Sequence, residues 1–530
     1  MTGAATTYPT KTRSVTRSLP SWALPAFVGA AVFIVGALIV DGFPVGVTHD
    51  DSMYVVLAKS LATGHGYRWL NLPGAPPATH YPPGYPAVLA LLWLMFPTFP
   101  ANVVAFKLAN AVFLGVAAAG VFSYARARFG MSERGAAILA LVLILGIPTL
   151  TLCALVMSEP LFLALLIPTL IYAERVIDGE PGRWRGLLLL GVIAGGLTLI
   201  RTQGIAIIGA TAVILCMRRR RRDAAIFGGA AMAMLLPWQI WVSTHSGVVP
   251  AAMSGNYESY GAWVRAGFHD AGPLLLARTA LRTTREIAQN FEVLFAVVAP
   301  PAVRVAALLP LAILAAIGAR SLWRRSPVSA LFLGLYFAMV IFWPFPPSRF
   351  VWAIWPLVAL VPLLGQRELL AWRPSTVWSR AARATMLVAA ALLAIGYSAY
   401  NVRGYRRQWW ASIPVAMSRN IDPLLRWVAT QTPRNAVLAT EIESSVYLYT
   451  NRSAVPVTTF TVNEYFQPRT PAENAAAIRS VVEHYHPMAV VVSSSAMRSA
   501  VRELAVGQSP MLVVVDTFPG GGIVLIPQSR

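Results

Sequence analysis

From Trp22 to Val40 the chain runs without a single charge, and segments of the same kind recur along most of its length. A bilayer's hydrocarbon core takes about 20 apolar residues of helix, within a range of roughly 17–25. Further apolar segments lie at roughly 102–125, 136–157, 158–173, 187–200, 204–217, 224–244, 305–319, 328–345, 350–365 and 384–400, eleven with the first. The pattern is that of a mainly α, polytopic membrane protein. Composition agrees, at 56% hydrophobic and only 12% charged residues; a soluble chain carries roughly 45–50% and about 25%. A cytosolic enzyme, a disordered scaffold and a disulfide-stapled secreted domain are thereby excluded. Cys153 and Cys216 both sit inside apolar runs and read as small hydrophobes, with no disulfide framework or metal site. Asp41-Gly-Phe-Pro after the first segment is no small-residue cleavage site, so that segment reads as an anchor and not as a signal peptide.

The charge is lopsided, with 43 Lys+Arg against 22 Asp+Glu and a net charge of +21. Basic residues mark the cytoplasmic loops of membrane proteins. Here they gather in every second loop. These are the N-terminal flank with Lys11, Arg13 and Arg17, then Arg126/Arg128/Arg134, Arg175/Arg183/Arg185, Arg218 to Arg222, Arg320/Arg324/Arg325 and Arg367/Arg373/Arg380/Arg383. Those six segments hold 21 of the cations, so most of the surplus reports topology and no nucleic-acid partner is expected. The alternation places the N-terminus in the cytoplasm and the C-terminal segment outside. Segments 187–200 and 204–217 are short, about 21 Å of helix each. They are expected to meet at Arg201-Thr-Gln-Gly204 below the outer surface, where an arginine and irregular backbone are tolerated only beside protein or a water-filled cavity.

Residues 1–402 then form the membrane domain and 403–530 a hydrophilic extracytoplasmic tail. Within the first, 41–101 is a long outer loop with apolar residues at helical spacing in 52–62 and 86–96, expected as two short helices along the membrane surface. A second outer loop, 245–300, holds an aromatic cluster at Tyr257, Tyr260 and Trp263. In the tail, Asp422-Pro-Leu-Leu reads as a helix start. β-type runs at Ala436–Thr440, Met488–Ser493, Met511–Asp516 and Ile523–Ile526 predict a small α/β domain.

The first outer loop reads Thr48-His-Asp-Asp-Ser-Met-Tyr54, then Ala58-Lys-Ser-Leu-Ala-Thr-Gly-His-Gly-Tyr67, then His80-Tyr-Pro-Pro-Gly-Tyr-Pro86. Asp50 and Asp51 are neighbours and face different directions. One can point into a cavity as a general base on a positioned hydroxyl while the other caps the following helix. The bland alternative is that both are solvated caps. His49, His65 and His80 match no metal-ligand spacing, and no metal or cofactor is expected.

The stretch Asp50 to Pro86 resembles the GT-C superfamily of membrane glycosyltransferases, in particular the family 39 type with its protein O-mannosyltransferases and aminoarabinose transferases. Met157-Ser-Glu-Pro160, Gly196-Leu-Thr-Leu-Ile-Arg-Thr-Gln-Gly204 and Pro347-Ser-Arg-Phe350 with Pro356 also look like this family. The resemblance covers about 25–400 in order and the tail more loosely. The family often has Glu as its second acidic residue, where this chain has Asp51, so either carboxylate could reach the acceptor; Asp50 is preferred.

The resemblance implies a GT-C-type fold and transfer of a sugar from a polyprenyl-phosphate donor to an acceptor glycan, lipid or protein outside the cytoplasmic membrane, with inversion. Asp50 or Asp51 is then the base. A lipid phosphate leaving group needs cations or donors, for which the candidates are Arg201, Arg349, Lys59 and His65. Arg201 and Arg349 stand out as isolated cations between apolar segments, and a guanidinium suits phosphate oxygens. His80, Tyr81, Tyr85 and Glu159 are candidate pocket residues; for the tyrosines and Glu159 a structural role competes. A transporter of lipid-linked sugars is the main alternative, although no repeat symmetry between halves is visible. A non-catalytic assembly protein is a third reading.

Overall fold

The computed structural model describes residues 20–249, 253–458, 461, 464, 466–506 and 510–528. The Lys11, Arg13 and Arg17 flank lies outside the described residues. All eleven apolar segments are helical. Among the described residues, five helical runs are long and apolar enough to cross a membrane: Asn102–Phe129, Glu159–Asp178, Arg221–His245, Pro301–Arg325 and Val377–Gln431. Glu133–Ile144 and Ile147–Cys153 make a sixth if taken as one span bent by 59°. The remaining segments are shorter than a full span, as Ala23–Leu38 and Pro327–Ile341 show. Helix Ala23–Leu38 is drawn tightly onto Asn102–Phe129 because Gly29 and Gly115 face each other, and a Cβ on Gly29 would come within 2.8 Å of the Gly115 carbonyl.

The basic loops come together at one end of the bundle. Arg128 pairs with Asp178 at 2.7 Å and donates to Ser326 at 3.1 Å. Arg367 donates to the Phe129 carbonyl at 2.6 Å, Arg220 to that of Val176 at 3.1 Å and Arg383 to that of Leu369 at 2.9 Å. Cations that the sequence assigns to one membrane face thus lace the helix ends of that face.

The first long loop folds into helices Asp50–Ala62 and Gly84–Met95. The first does not lie on a surface as expected: Asp51 to Ala58 are all buried, because the helix is packed between Gly84–Met95 and the C-terminal domain. Its apolar residues are on every side, as in a helix covered all round. The second exposes Leu91, Leu94 and Met95. Within 245–300 the chain forms helices Tyr260–Ala271 and Leu274–Ala296.

Helix Val377–Arg406 turns at Gln408, where φ is +48°, into helix Trp409–Gln431. Asp422 therefore lies inside a helix and does not start one, and Pro423 is accommodated within it. The Asp422 carboxylate accepts from Ser418 one turn earlier, at 2.6 Å. A five-stranded sheet follows, in the order β2-β1-β3-β5-β4. Strands β1 (Val437–Thr440), β2 (Ser453–Pro456) and β3 (Ala489–Val492) are parallel, while β4 (Leu512–Thr517) and β5 (Ile523–Pro527) run antiparallel. Four of the five strands match the β-type runs of the sequence. Strand β2 does not, since Ser453-Ala-Val-Pro456 is short and ends in proline. Leu424, Leu425 and Val428 of the preceding helix pack with Leu438, Val446, Val491 and Val524, which joins the sheet to the end of the helical bundle.

Candidate active site

A cavity of about 540 Å³ lies where the first loop, the 201–204 turn, the 343–350 segment and the carboxyl ends of β1 and β2 converge. Ligands of open α/β sheets sit outside such strand ends.

Asp50 opens helix Asp50–Ala62 at the cavity wall. Its Oδ1 accepts from the Tyr81 hydroxyl at 2.5 Å, and its Oδ2 meets Arg349 Nη1 at 2.8 Å. Burial works to raise the Asp50 carboxyl, but the Arg349 charge and the Tyr81 hydrogen bond outweigh it and hold the group below the usual carboxylate range. Asp50 is therefore ionised at neutral pH. Asp51 turns the other way. Its oxygens accept from the amides of Gly46, Val47 and Thr48 at 2.9, 3.2 and 3.1 Å and from the Thr48 hydroxyl at 3.2 Å. It is buried and does not line the cavity. The adjacent acids thus divide the work, one facing the cavity and the other folding the loop.

Arg349 and Arg201 converge on Glu159. Arg201 Nη1 lies 2.8 Å and Arg349 Nη2 3.1 Å from the same oxygen, Oε1. Arg201 also donates to Ser158 at 3.0 Å. Glu159 and Arg201 are buried, with side-chain exposures of 1% and 7%, while Arg349 keeps 31% open. A chain of contacts therefore runs from Tyr81 through Asp50, Arg349 and Glu159 to Arg201. Its two guanidiniums and two carboxylates balance in charge, and Arg349 is the member best exposed to an incoming anion.

His80 lines the cavity, with its ring 4.0 Å from that of Tyr260 and Nδ1 against the Glu258 carbonyl at 2.5 Å. Burial pushes its pKa down to about 4, so it is a neutral wall. Tyr81 lines the cavity too. Tyr85 is fully buried behind it, edge-on to Tyr54 at 5.1 Å and bonded to Asn110 at 3.3 Å; it supports the wall without reaching the space. Lys59 and His65 are not brought to the cavity. Lys59 sits at the far end of its helix, on Asn451 at 2.9 Å and over the Tyr447 ring, and His65 is exposed beside Thr63 at 2.8 Å. The reason is the helix itself: nine residues separate Lys59 from Asp50, about 13 Å along the axis. Among the described residues no three His, Cys, Asp or Glu side chains are grouped to hold a metal ion.

Trp343, Glu441 and Glu443, also in the wall, escape a reading from the sequence, whereas Tyr260 belongs to the aromatic cluster seen there. Trp343 and Tyr260 give the cavity aromatic faces, their centroids 5.4 Å apart. Of the aromatic cluster in 245–300, Tyr260 reaches the cavity. Tyr257 is buried beneath Glu443, to which its hydroxyl donates at 2.7 Å, and Trp263 packs on Phe345 at 5.0 Å. Glu441 and Glu443, just after β1, also line the space. The available signal was their place after a β-type run, at a strand's carboxyl end.

No protein-family model and no curated protein matches the chain. Solved structures do. A crystal structure of ArnT from Cupriavidus metallidurans bound to undecaprenyl phosphate superposes with a TM-score of 0.55 at 15% identity, over 96% of this chain and 98% of that one. The apo state of the same protein gives 0.55 at 14% identity, over 94% and 97%. The chain thus shares the fold of ArnT, here mainly helical with a small C-terminal α/β domain.

Proposed function

We propose that the protein is a membrane glycosyltransferase. It takes a sugar from a polyprenyl-phosphate donor and passes it, with inversion, to an acceptor hydroxyl on the extracytoplasmic side. The N-terminus is then cytoplasmic and the sheet domain outside. One observation carries the reading: the Asp50 carboxylate shares a cavity with the guanidinium of Arg349, 2.8 Å away, in the fold of a protein solved with undecaprenyl phosphate.

The geometry suits this chemistry. The acceptor hydroxyl needs a base, and Asp50 is the carboxylate that faces the cavity. The bond from the anomeric carbon to the phosphate oxygen breaks as the acceptor oxygen attacks, its electron pair staying with the phosphate. The growing charge needs fixed cations, which Arg349 and Arg201 supply. Arg349 binds Asp50 in the structure, so a donor phosphate that draws this guanidinium away also frees Oδ2 of Asp50 to accept a proton. Donor binding and base activation are thereby linked.

Binding of undecaprenyl phosphate to the purified full-length protein tests the reading. Arg349→Ala and Arg201→Ala should each weaken it by about tenfold or more, one lost charge-assisted contact being worth about 1.5–3 kcal/mol. Wild-type affinity in both variants would remove the phosphate site from this cavity.

A further inference from the structure

Loop 45–52 and helix Glu443–Thr450 are some 400 residues apart in sequence, yet they lock together beside Asp50. The Ser52 and Ser444 hydroxyls are 2.6 Å apart. The Val45 amide donates to the Tyr449 hydroxyl at 3.1 Å, and the Ser445 hydroxyl to the Val45 carbonyl at 3.5 Å. Gly46, at φ +110°, passes so close to Ser445 that a side chain there would collide with it.

On the cavity side this row ends in His49 and Glu443. His49 holds φ +65°, a left-handed backbone that a residue with a Cβ keeps only where its surroundings impose it. Asp51 imposes it, by gathering the three amides just before. The ring is turned into the cavity, with Nε2 3.9 Å from Glu443 Oε1 and 34% of the side chain exposed. Nε2 is buried with no hydrogen-bond partner, and the Glu443 carboxylate is its charged neighbour. Glu443 is 1% exposed, and its Oε1 is fixed by Tyr257, whose hydroxyl in turn accepts from Asn71 at 2.7 Å. In the tautomer that carries its proton on Nε2, toward the Glu443 carboxylate, the Nδ1 lone pair is left to accept a hydrogen bond.

We propose that His49 binds a hydroxyl of the sugar or of the acceptor through Nδ1, with Glu443 of the sheet domain as the positioning residue that holds its ring. This rests on the glycosyl-transfer reading. It gives the C-terminal domain a part in substrate recognition. Arg201 and Arg349 only donate and do not offer the same contact.

The test compares full-length wild type with H49A, H49Q, E443Q and H49A/E443Q. The rate of sugar transfer is measured from undecaprenyl-phosphate-linked pentoses and hexoses to an envelope extract, and binding of sugar-free undecaprenyl phosphate is measured separately. H49A should raise one KM by about three- to tenfold, the worth of one neutral hydrogen bond. A shift in the donor KM assigns the contact to the sugar, and a shift in the acceptor KM to the acceptor. H49Q, whose amide oxygen can accept, should recover part of the loss. E443Q should act in the same direction, and the double variant should be no worse than H49A, because Glu443 acts through the ring. Undecaprenyl phosphate, which carries no sugar, should bind all variants alike. Unchanged KM values in H49A, or an E443Q effect that adds to that of H49A, would overturn the proposal. A wild type that binds undecaprenyl phosphate but transfers no sugar would overturn the glycosyl-transfer reading along with it.

Discussion

Glu159 carries two arginines on one oxygen, and Glu159→Gln shows what that costs and what it is for. The change keeps the shape of the side chain and removes its charge. Arg201, at 7% exposure, is then left with the Ser158 hydroxyl at 3.0 Å and a neutral amide. Removing one partner of a buried ion pair costs about 3–5 kcal/mol. The Arg349 contact adds little, because Arg349 is 31% exposed and keeps Asp50 at 2.8 Å. Thermal unfolding of the full-length protein in detergent, with and without undecaprenyl phosphate, reads both consequences. Without lipid the variant should melt well below wild type. With lipid it should recover more than wild type gains, since a phosphate between the guanidiniums restores the missing negative charge and a ligand that binds the native state stabilises it. A variant that melts with wild type, or that gains no more from the lipid, would refute the idea that Glu159 holds the two cations in trust for a phosphate.

Asp51→Asn should loosen the loop before Asp50 by about 1.5–3 kcal/mol, the worth of hydrogen bonds to a charged acceptor, and hydrogen exchange of residues 45–52 should speed up. His80 has its pKa lowered from 6.5 to about 4 on folding, so the unfolded chain binds its proton first. Its contribution to stability is complete above about pH 6.5 and is lost as pH falls toward 4. Melting temperatures across that window should fall less steeply in His80→Gln than in wild type. For topology, a reporter fused after residue 410 should register outside the cytoplasm; a cytoplasmic signal would break the eleven-segment alternation.

The helical bundle was legible because its signal is local: each apolar segment declares itself by its own uncharged run, and each basic loop by its own charge. Four strands of the sheet were legible for the same reason. What failed depended on distant partners. Helix Asp50–Ala62 reads as surface-lying until the sheet domain packs on it opposite Gly84–Met95, a contact that no local signal announces. Asp422-Pro423 is a strong helix-start signal locally, yet the helix from Trp409 runs through it. Within the site, Arg201 and Arg349 could be named as isolated cations between apolar segments and Asp50 as one of an adjacent acidic pair, while Glu159 entered through the family resemblance. That Glu159 joins the two arginines is a fact of packing between segments 159, 201 and 349. Lys59 and His65 share a loop with Asp50 but not a direction. Glu443 reaches the cavity from a domain some 390 residues further on, beyond the range of any local pattern.

The central claim is that Asp50 is the base of a sugar transfer and that Arg349 holds the donor phosphate beside it. Asp50→Asn tests it most directly, read in one preparation for undecaprenyl phosphate binding and for sugar transfer to an acceptor. The account predicts binding equal to or tighter than wild type, because Arg349 loses its competing carboxylate, with transfer reduced at least 100-fold, the lower end of what a general base contributes (about 10²–10⁴). Transfer at the wild-type rate in that variant would contradict it.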